Sequence, residues 1–444
     1  MEKSIRLSDH FSYSKLLRFT LPSIVMMVFT SIYGVVDGLF VSNFVGKTAF
    51  ASVNLVMPFV MILGGMGFML GTGGTALVSK ILGEGDPDSA NRTFSMMVLF
   101  TLALGAVLSA AGIVFMRPVS RFLGATDAMM DDCVLYGRIV TGFTFAFMLQ
   151  NVFQSFFIAA EKPKLGLKVT VAAGLTNMVL DALFIAVFKW GVAGAAFATG
   201  LSQCVGGVLP LVYFLRPNSS LLRLSPTRLR LRPILAACGN GSSELMSNIS
   251  SSLVSMVYNL QLLRLAGEDG VSAYGVLMYV QFIFISIYIG YSIGCAPVVS
   301  YHYGAQNHGE LKNLLGKSVL LMGITGVALT ALAMALADPL ARLFVGYDAA
   351  LMELTVSGFQ IFALSFIFMG FAIYGSSFFT ALNDGLTSAA ISFLRTLVFQ
   401  VAAVLLLPTI WDIDGIWMSI VVAEFMAVVL TAAFLAIKRR KYHY

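Results

Sequence analysis

Charge is what this chain has least of. Only 11% of its 444 residues are Asp, Glu, Lys or Arg, whereas a soluble chain carries about 25% to keep its surface wetted. That excludes a water-facing globule of this length, so most of the outer surface must meet lipid. Cysteine is scarce and unpatterned. Cys133, Cys204, Cys238 and Cys295 stand singly in apolar stretches without CxxC or other metal spacing, and they read as small apolar side chains. The four histidines, His10, His302, His308 and His443, fall in expected tails or loops. With no buried metal or nucleophile cluster, a membrane enzyme is not expected, nor any bound cofactor. GKT at 46–48 and GKS at 316–318 lack the upstream glycine of a phosphate loop, so no ATPase is expected within the chain. The N-terminal MEKSIRLSDHFSYSK has no small-residue cleavage site, so no signal peptide is expected to be removed.

What the chain has is apolar length. It is 58% hydrophobic, with a mean hydropathy of +0.87. Long apolar runs fall at about 16–42, 51–79, 94–116, 134–158, 165–188, 191–215, 234–263, 271–299, 314–337, 354–380, 386–408 and 416–437. Each is long enough to cross a bilayer as a helix. Helices are the open-chain structures that satisfy every backbone polar group within lipid. The expected fold class is therefore an all-α integral membrane protein with twelve transmembrane helices.

The basic residues sort by loop. One set of loops and tails carries Lys3, Arg6, Lys15, Arg18, Lys80, Arg92, Lys162, Lys164, Lys168, Arg216, Arg223, Arg228, Arg230, Arg232, Lys312, Lys317 and Lys438 to Lys441. The other set holds only Lys47, Arg117, Arg121, Arg138, Lys189, Arg264 and Arg342. By the positive-inside rule both termini are expected in the cytoplasm, in a multi-pass protein of the cell (inner) membrane. The same asymmetry accounts for the net charge of +6 without nucleic acid as a partner.

The two halves of the chain align. A constant shift of 221 residues pairs Gly46 with Gly267, Gly73 with Gly294, Gly83 with Gly304, Asp127 with Asp348 and Trp190 with Trp411. Six helices is an even number, so both halves enter the membrane in the same direction, as parallel repeats. The expected organisation is a lobe over 1–215, a cytoplasmic linker over 216–232 and a lobe over 233–444. The two six-helix lobes would enclose a central cleft, and a monomer is expected.

Ionisable residues inside membrane spans are functional candidates by default. Asp37, Asp181, Glu244 and Glu424 qualify. Asn177 lies four residues before Asp181, on the same helix face. Asp181 is nine residues before Trp190, Thr199 is nine after it, and Asp37 is nine before Gly46. All three therefore lie about 13 Å below one membrane face. This oxygen-rich layer suits a hard cation such as Na⁺, and two adjacent carboxylates also suit a proton. Under the 221 shift the four positions become Tyr258, Val398, Ala402 and Ile420, so the second half lacks the layer. A requirement of the fold would recur in both halves; one confined to the first points to function.

Glu244 stands in the polar stretch NGSSELMSNISSS, as a cleft-facing group or an inter-helix bond. Arg395 and Glu424 are expected to pair. Pro22 should bend the first helix. Tyr33, Gln150, Asn151, Gln154, Tyr258 and Met278 are further candidates for lining a substrate cleft.

Together, Pro22, YGVVDGLFVSNFVG, GMGFMLGTGGTALVSKILGEGD, NMVLDALFI and WGVAGAAFAT resemble the multidrug and toxic compound extrusion (MATE) transporters over the whole chain. The resemblance implies a secondary antiporter that exports organic cations and other drugs across a V-shaped cleft in exchange for Na⁺ or H⁺. It is nearest to the bacterial DinF-like branch, whose first-lobe ion pocket would fall on Asp37, Asn177, Asp181 and Thr199. Glu244 is similar to a seventh-helix glutamate that serves as a second-lobe cation site in other branches. The acid that accompanies it there on the tenth helix has no counterpart within 354–380. The alternative is a lipid or lipid-linked saccharide flippase, whose cleft would need strong positive charge that this sequence offers only at Arg395.

Overall fold

The computed structural model describes residues 5–444, apart from the side chains of Leu39, Ser42 and Lys47. Lys3 and the Lys47 side chain, counted above among the orienting charges, lie outside the described residues. The helices are α1 (Tyr13–Phe44), α2 (Lys47–Gly83), α3 (Pro87–Phe122), α4 (Asp127–Gly142), α5 (Thr144–Ala159), α6 (Pro163–Asp181), α7 (Gly191–Leu215), α8 (Leu231–Gly304), α9 (His308–Val345), α10 (Ala349–Ala363), α11 (Phe366–Ala381), α12 (Gly385–Phe393), α13 (Gln400–Leu406) and α14 (Pro408–Tyr442). A π-helical turn, Ala182–Val187, continues α6, and a second, Leu394–Phe399, joins α12 to α13. No strand occurs among the described residues.

Nine helical segments are long and apolar enough to span a membrane. Two bent pairs, α4 with α5 (51°) and α10 with α11 (48°), raise the number to eleven. The long helix α8 supplies one more. As a single rod its 74 residues would extend about 111 Å, nearly four hydrocarbon thicknesses. Gly267, at φ 64° and ψ −150°, breaks it. Tyr258 and Tyr274 then stack with ring centroids 5.2 Å apart, where an unbroken helix would hold them about 24 Å apart. The chain thus reverses at Gly267, and α8 is the seventh and eighth of twelve spans.

Pro22 lies inside α1, which is continuous from Tyr13 to Phe44. The fourth and tenth spans bend sharply, at Phe143 and Leu364, where N–H groups bond three residues back, to Val140 O (3.0 Å) and Ile361 O (3.2 Å). These tightened turns interrupt the helical ladder without proline. Phe143 and Leu364 are 221 residues apart, so the bend is a property of the repeat. Other local features recur at the same offset. Gly46 and Gly267 have positive φ, as do Gly85 and Gln306. Asp86 and Asn307 each cap a helix by accepting the N–H three residues on.

The two halves pack along the ends of the spans that carry the basic loops. A Cβ on Gly83 would meet the Tyr301 carbonyl, and one on Gly304 would meet the Lys80 carbonyl. Gly83 and Gly304 are repeat mates, as are Lys80 and Tyr301, so the pseudo-twofold axis passes between them. The same reciprocity governs Gly73 against Gly241 and its mate, Gly294 against Thr20. Bare glycine lets these helix backbones touch. Towards the opposite face the cores part. Val41, Val53, Val56, Val60, Tyr136, Ile185 and Val192 form a cluster made wholly of first-half residues.

Candidate functional site

The first-half cluster encloses a polar pocket. Asp37 comes from α1, Asn177 and Asp181 from the end of α6, and Thr199 from α7. Asp181 is fully buried (0% exposed), Asn177 nearly so (2%), and Asp37 largely (8%). Asp37 adjoins both Asp181 and Asn177. Asp37 Oδ1, Asn177 Oδ1, both Asp181 carboxylate oxygens and Thr199 Oγ1 are buried without a hydrogen-bond partner. Two facing carboxylates are both acceptors while ionised, so neither can satisfy the other. A negative charge held among Val41, Ile185 and Val192 needs a proton or a small cation beside it. The donor set is oxygen only. Among the described residues no three His, Cys, Asp or Glu side chains gather as a metal group.

Tyr136 joins this layer, and a second buried polar group lies one turn away. Tyr136 on α4 is buried, its hydroxyl is unpartnered, and it lies within electrostatic reach of both Asp37 and Asp181. Sequence reasoning missed it, although it sits nine residues past Asp127 at the start of α4, the spacing that placed Asp37, Asp181 and Thr199. Gln203, one turn beyond Thr199, is buried with Oε1 unpartnered. The π-helical turn begins immediately after Asp181; such turns widen a helix locally and occur often at functional sites.

The cleft candidates divide. Tyr33 is half-buried and lies near Gln150 and Asp37. Asn151 and Gln154 are buried and committed to helix packing: Asn151 Nδ2 donates to Gly64 O at 3.0 Å, and Gln154 Nε2 lies 3.4 Å from Thr170 Oγ1. Glu244 is half-buried. Gly65 approaches Asn248, and Gly73 approaches Gly241, so Glu244 sits between two points where α2 and α8 cross. Met278 is half-buried beside the second-half core, and Tyr258 is buried with its hydroxyl unpartnered.

In the second half, Arg395 Nε donates to Glu424 Oε2 at 2.7 Å. Both side chains are buried, and Arg395 lies in the second π-helical turn. The pair is an internal salt bridge, as the sequence led one to expect. Two histidines depart from expectation: His302 is a buried residue in the last turn of α8 and His308 is the first residue of α9, because the helices run on past the apolar stretches.

Twelve spans in two parallel repeats around a cleft define a membrane transporter architecture, with a buried pair of carboxylates in one half. The MatE family model matches residues 22–183 and again 245–405, an offset within two residues of the 221-residue repeat. The chain belongs to the MATE family of transporters. It is 21% identical over 418 residues to the multidrug export protein MepA of Staphylococcus aureus (strain MRSA252), covering 93% of this chain and 91% of that protein. Among solved structures it is similar to MATE in complex with MaL6 (TM-score 0.94, 20% identity, 100% of both chains). It is also similar to the outward-facing conformation of a multidrug resistance MATE family transporter of the MOP superfamily (TM-score 0.93, 21% identity, 100% of this chain and 99% of that one).

Proposed function

We propose that this transporter is a secondary antiporter that exports amphipathic and cationic organic compounds in exchange for H⁺ or Na⁺. The observation that carries the coupling is the set of buried, unpartnered oxygens on Asp37, Asn177, Asp181 and Thr199. An ion entering that pocket neutralises the two carboxylates and favours one arrangement of the halves. The organic substrate, bound over Glu244 and Tyr33, favours the other. Each ligand drives the exchange only through its different affinity for the two arrangements. The name of MepA as a multidrug export protein supports the substrate class. The loop charges support an orientation with the basic face and both termini in the cytoplasm.

The flippase alternative fares less well. Arg395, the basic residue that the sequence sets deep in a span, is already paired with Glu424 and offers no free charge to a pyrophosphate. Reconstituted protein tests the reading directly. Uptake of a fluorescent organic cation into proteoliposomes should follow an imposed Na⁺ or H⁺ gradient of one kind. Uptake indifferent to both gradients would sink the antiport.

A further inference from the structure

Residues 5–12 cross the basic face ahead of α1 and touch both halves. On the first half, the Leu7 N–H donates to Glu161 Oε1 at 2.7 Å, in the turn between α5 and α6. On the second, the Phe11 N–H donates to Glu310 Oε1 at 2.9 Å. The Phe11 carbonyl accepts from Lys317 Nζ at 2.6 Å and from Asn313 Nδ2 at 3.0 Å. His10 Nδ1 lies 2.6 Å from Glu310 Oε2. The Leu7 and Phe11 side chains are fully buried in a core made mostly of second-half residues. Ordering a non-helical segment costs backbone entropy; here charge-assisted bonds and two buried apolar side chains offset it.

A terminus that needed only tethering could rest on one half, but this one is fastened to both. The chain ahead of the seventh span makes a related contact on α3, the repeat mate of α9. There the Arg223 N–H donates to Asn91 Oδ1 and the Ser225 N–H to Ser95 Oγ, each at 2.8 Å. Those partners are neutral. The N-terminal strap is held by carboxylates, Glu161 and Glu310.

We propose that residues 5–12 are a latch that holds the basic face closed, with Glu161 as its catch on the first half and Glu310 as its catch on the second. The inference rests on the two-state reading above: the strap runs straight into α1 of the first half, so the basic face opens only after it leaves Glu310, and Glu161 holds it in place for that contact. Losing one charge-assisted hydrogen bond of this kind should raise the open population about tenfold.

Spin labels at Lys168→Cys and Lys312→Cys, exposed residues on either side of the basic face, would read the separation of the halves. The four native cysteines are replaced in this background. Glu310→Gln and Glu161→Gln should each enlarge the long-distance population by about tenfold. Distance distributions unchanged in both variants overturn the latch. A Phe11→Cys/Asn313→Cys disulfide should stop transport in the full-length protein, and reductant should restore it, which a folding defect could not do. Undiminished transport in fully cross-linked protein also overturns the proposal. The label distances require no ion gradient, so they separate failure of the latch from failure of the antiport reading.

Discussion

At the depth where the first half places Asp37, Asn177, Asp181 and Thr199, the second half places Tyr258, Val398, Ala402 and Ile420. The second half holds its buried charge elsewhere, on Arg395 and Glu424, whose repeat mates are Gly174 and Gln203. Gly174 leaves no room for a side chain, because a Cβ there would meet Phe29 and Tyr33. One half thus keeps two carboxylates with no basic side chain beside them among the described residues, and the other keeps one carboxylate paired with a guanidinium of the chain itself. A pocket with an exchangeable counter-charge can switch; a pocket with a tethered one stays set. Both lie beside a π-helical turn, but at positions that the repeat does not equate. The same backbone plan has been adapted separately in each half.

The largest expected effect tests the exchangeable side. Asp181→Asn should abolish ion-driven transport while the protein still inserts and unfolds cooperatively. If Asp37 and Asp181 serve one ion, the double variant with Asp37→Asn should show nearly the same ion response as either single variant, since groups acting as a unit are non-additive. Trp190, close above the pocket, provides an emission signal for titrating Na⁺ or H⁺. Losses that simply summed would mean two separate sites.

The tethered side should respond through stability rather than transport. Arg395→Met leaves Glu424 buried without its partner and should cost about 3–5 kcal/mol. Adding Glu424→Leu should recover most of that, because an apolar pair of similar volume is well tolerated. Thermal unfolding in detergent reads both variants. A single variant as stable as the parent would refute the tethered-charge account.

A third comparison sits on the pseudo-axis. Gly83→Ala and Gly304→Ala press a Cβ against repeat-related carbonyls, so they should destabilise the contact between the halves by equal amounts, about 1–3 kcal/mol each. Unequal losses in the same thermal assay would show that the axis does not pass between them. The smallest effect is expected for Tyr136→Phe, which removes one hydroxyl facing both pocket carboxylates. A weakening of apparent ion affinity of about three- to tenfold, with transport retained, would place that hydroxyl among the ion's ligands. No change would confine Tyr136 to packing.

The twelve spans were legible because each is an apolar run of membrane length, and the repeat because its glycines keep register. The carboxylate layer followed from counting residues inward from each turn. Three features could not be read this way. The bends at Phe143 and Leu364 arise from tightened backbone turns that no proline marks. Tyr136 in DDCVLYGRIV carries no charge, and a tyrosine near a span end reads as an interfacial anchor. His302 follows the eighth apolar run, but the helix continues through it, since helix length is set by packing as well as by hydrocarbon thickness.

The reciprocal glycine contact at Gly83 and Gly304 also constrains movement. A pivot there gives α2 a lever arm of about 54 Å to its far end, so a 10° tilt would displace that end by about 9 Å, comparable to the width of a drug-sized pocket. Residues within a turn of the pivot would scarcely move. Such a hinge can swing the far end wide, but it cannot part its own leaves. To expose the basic face, the glycines must separate and a second fulcrum must form nearer the opposite surface, so a full cycle requires the molecule to hand its axis of rotation from one end of the helices to the other.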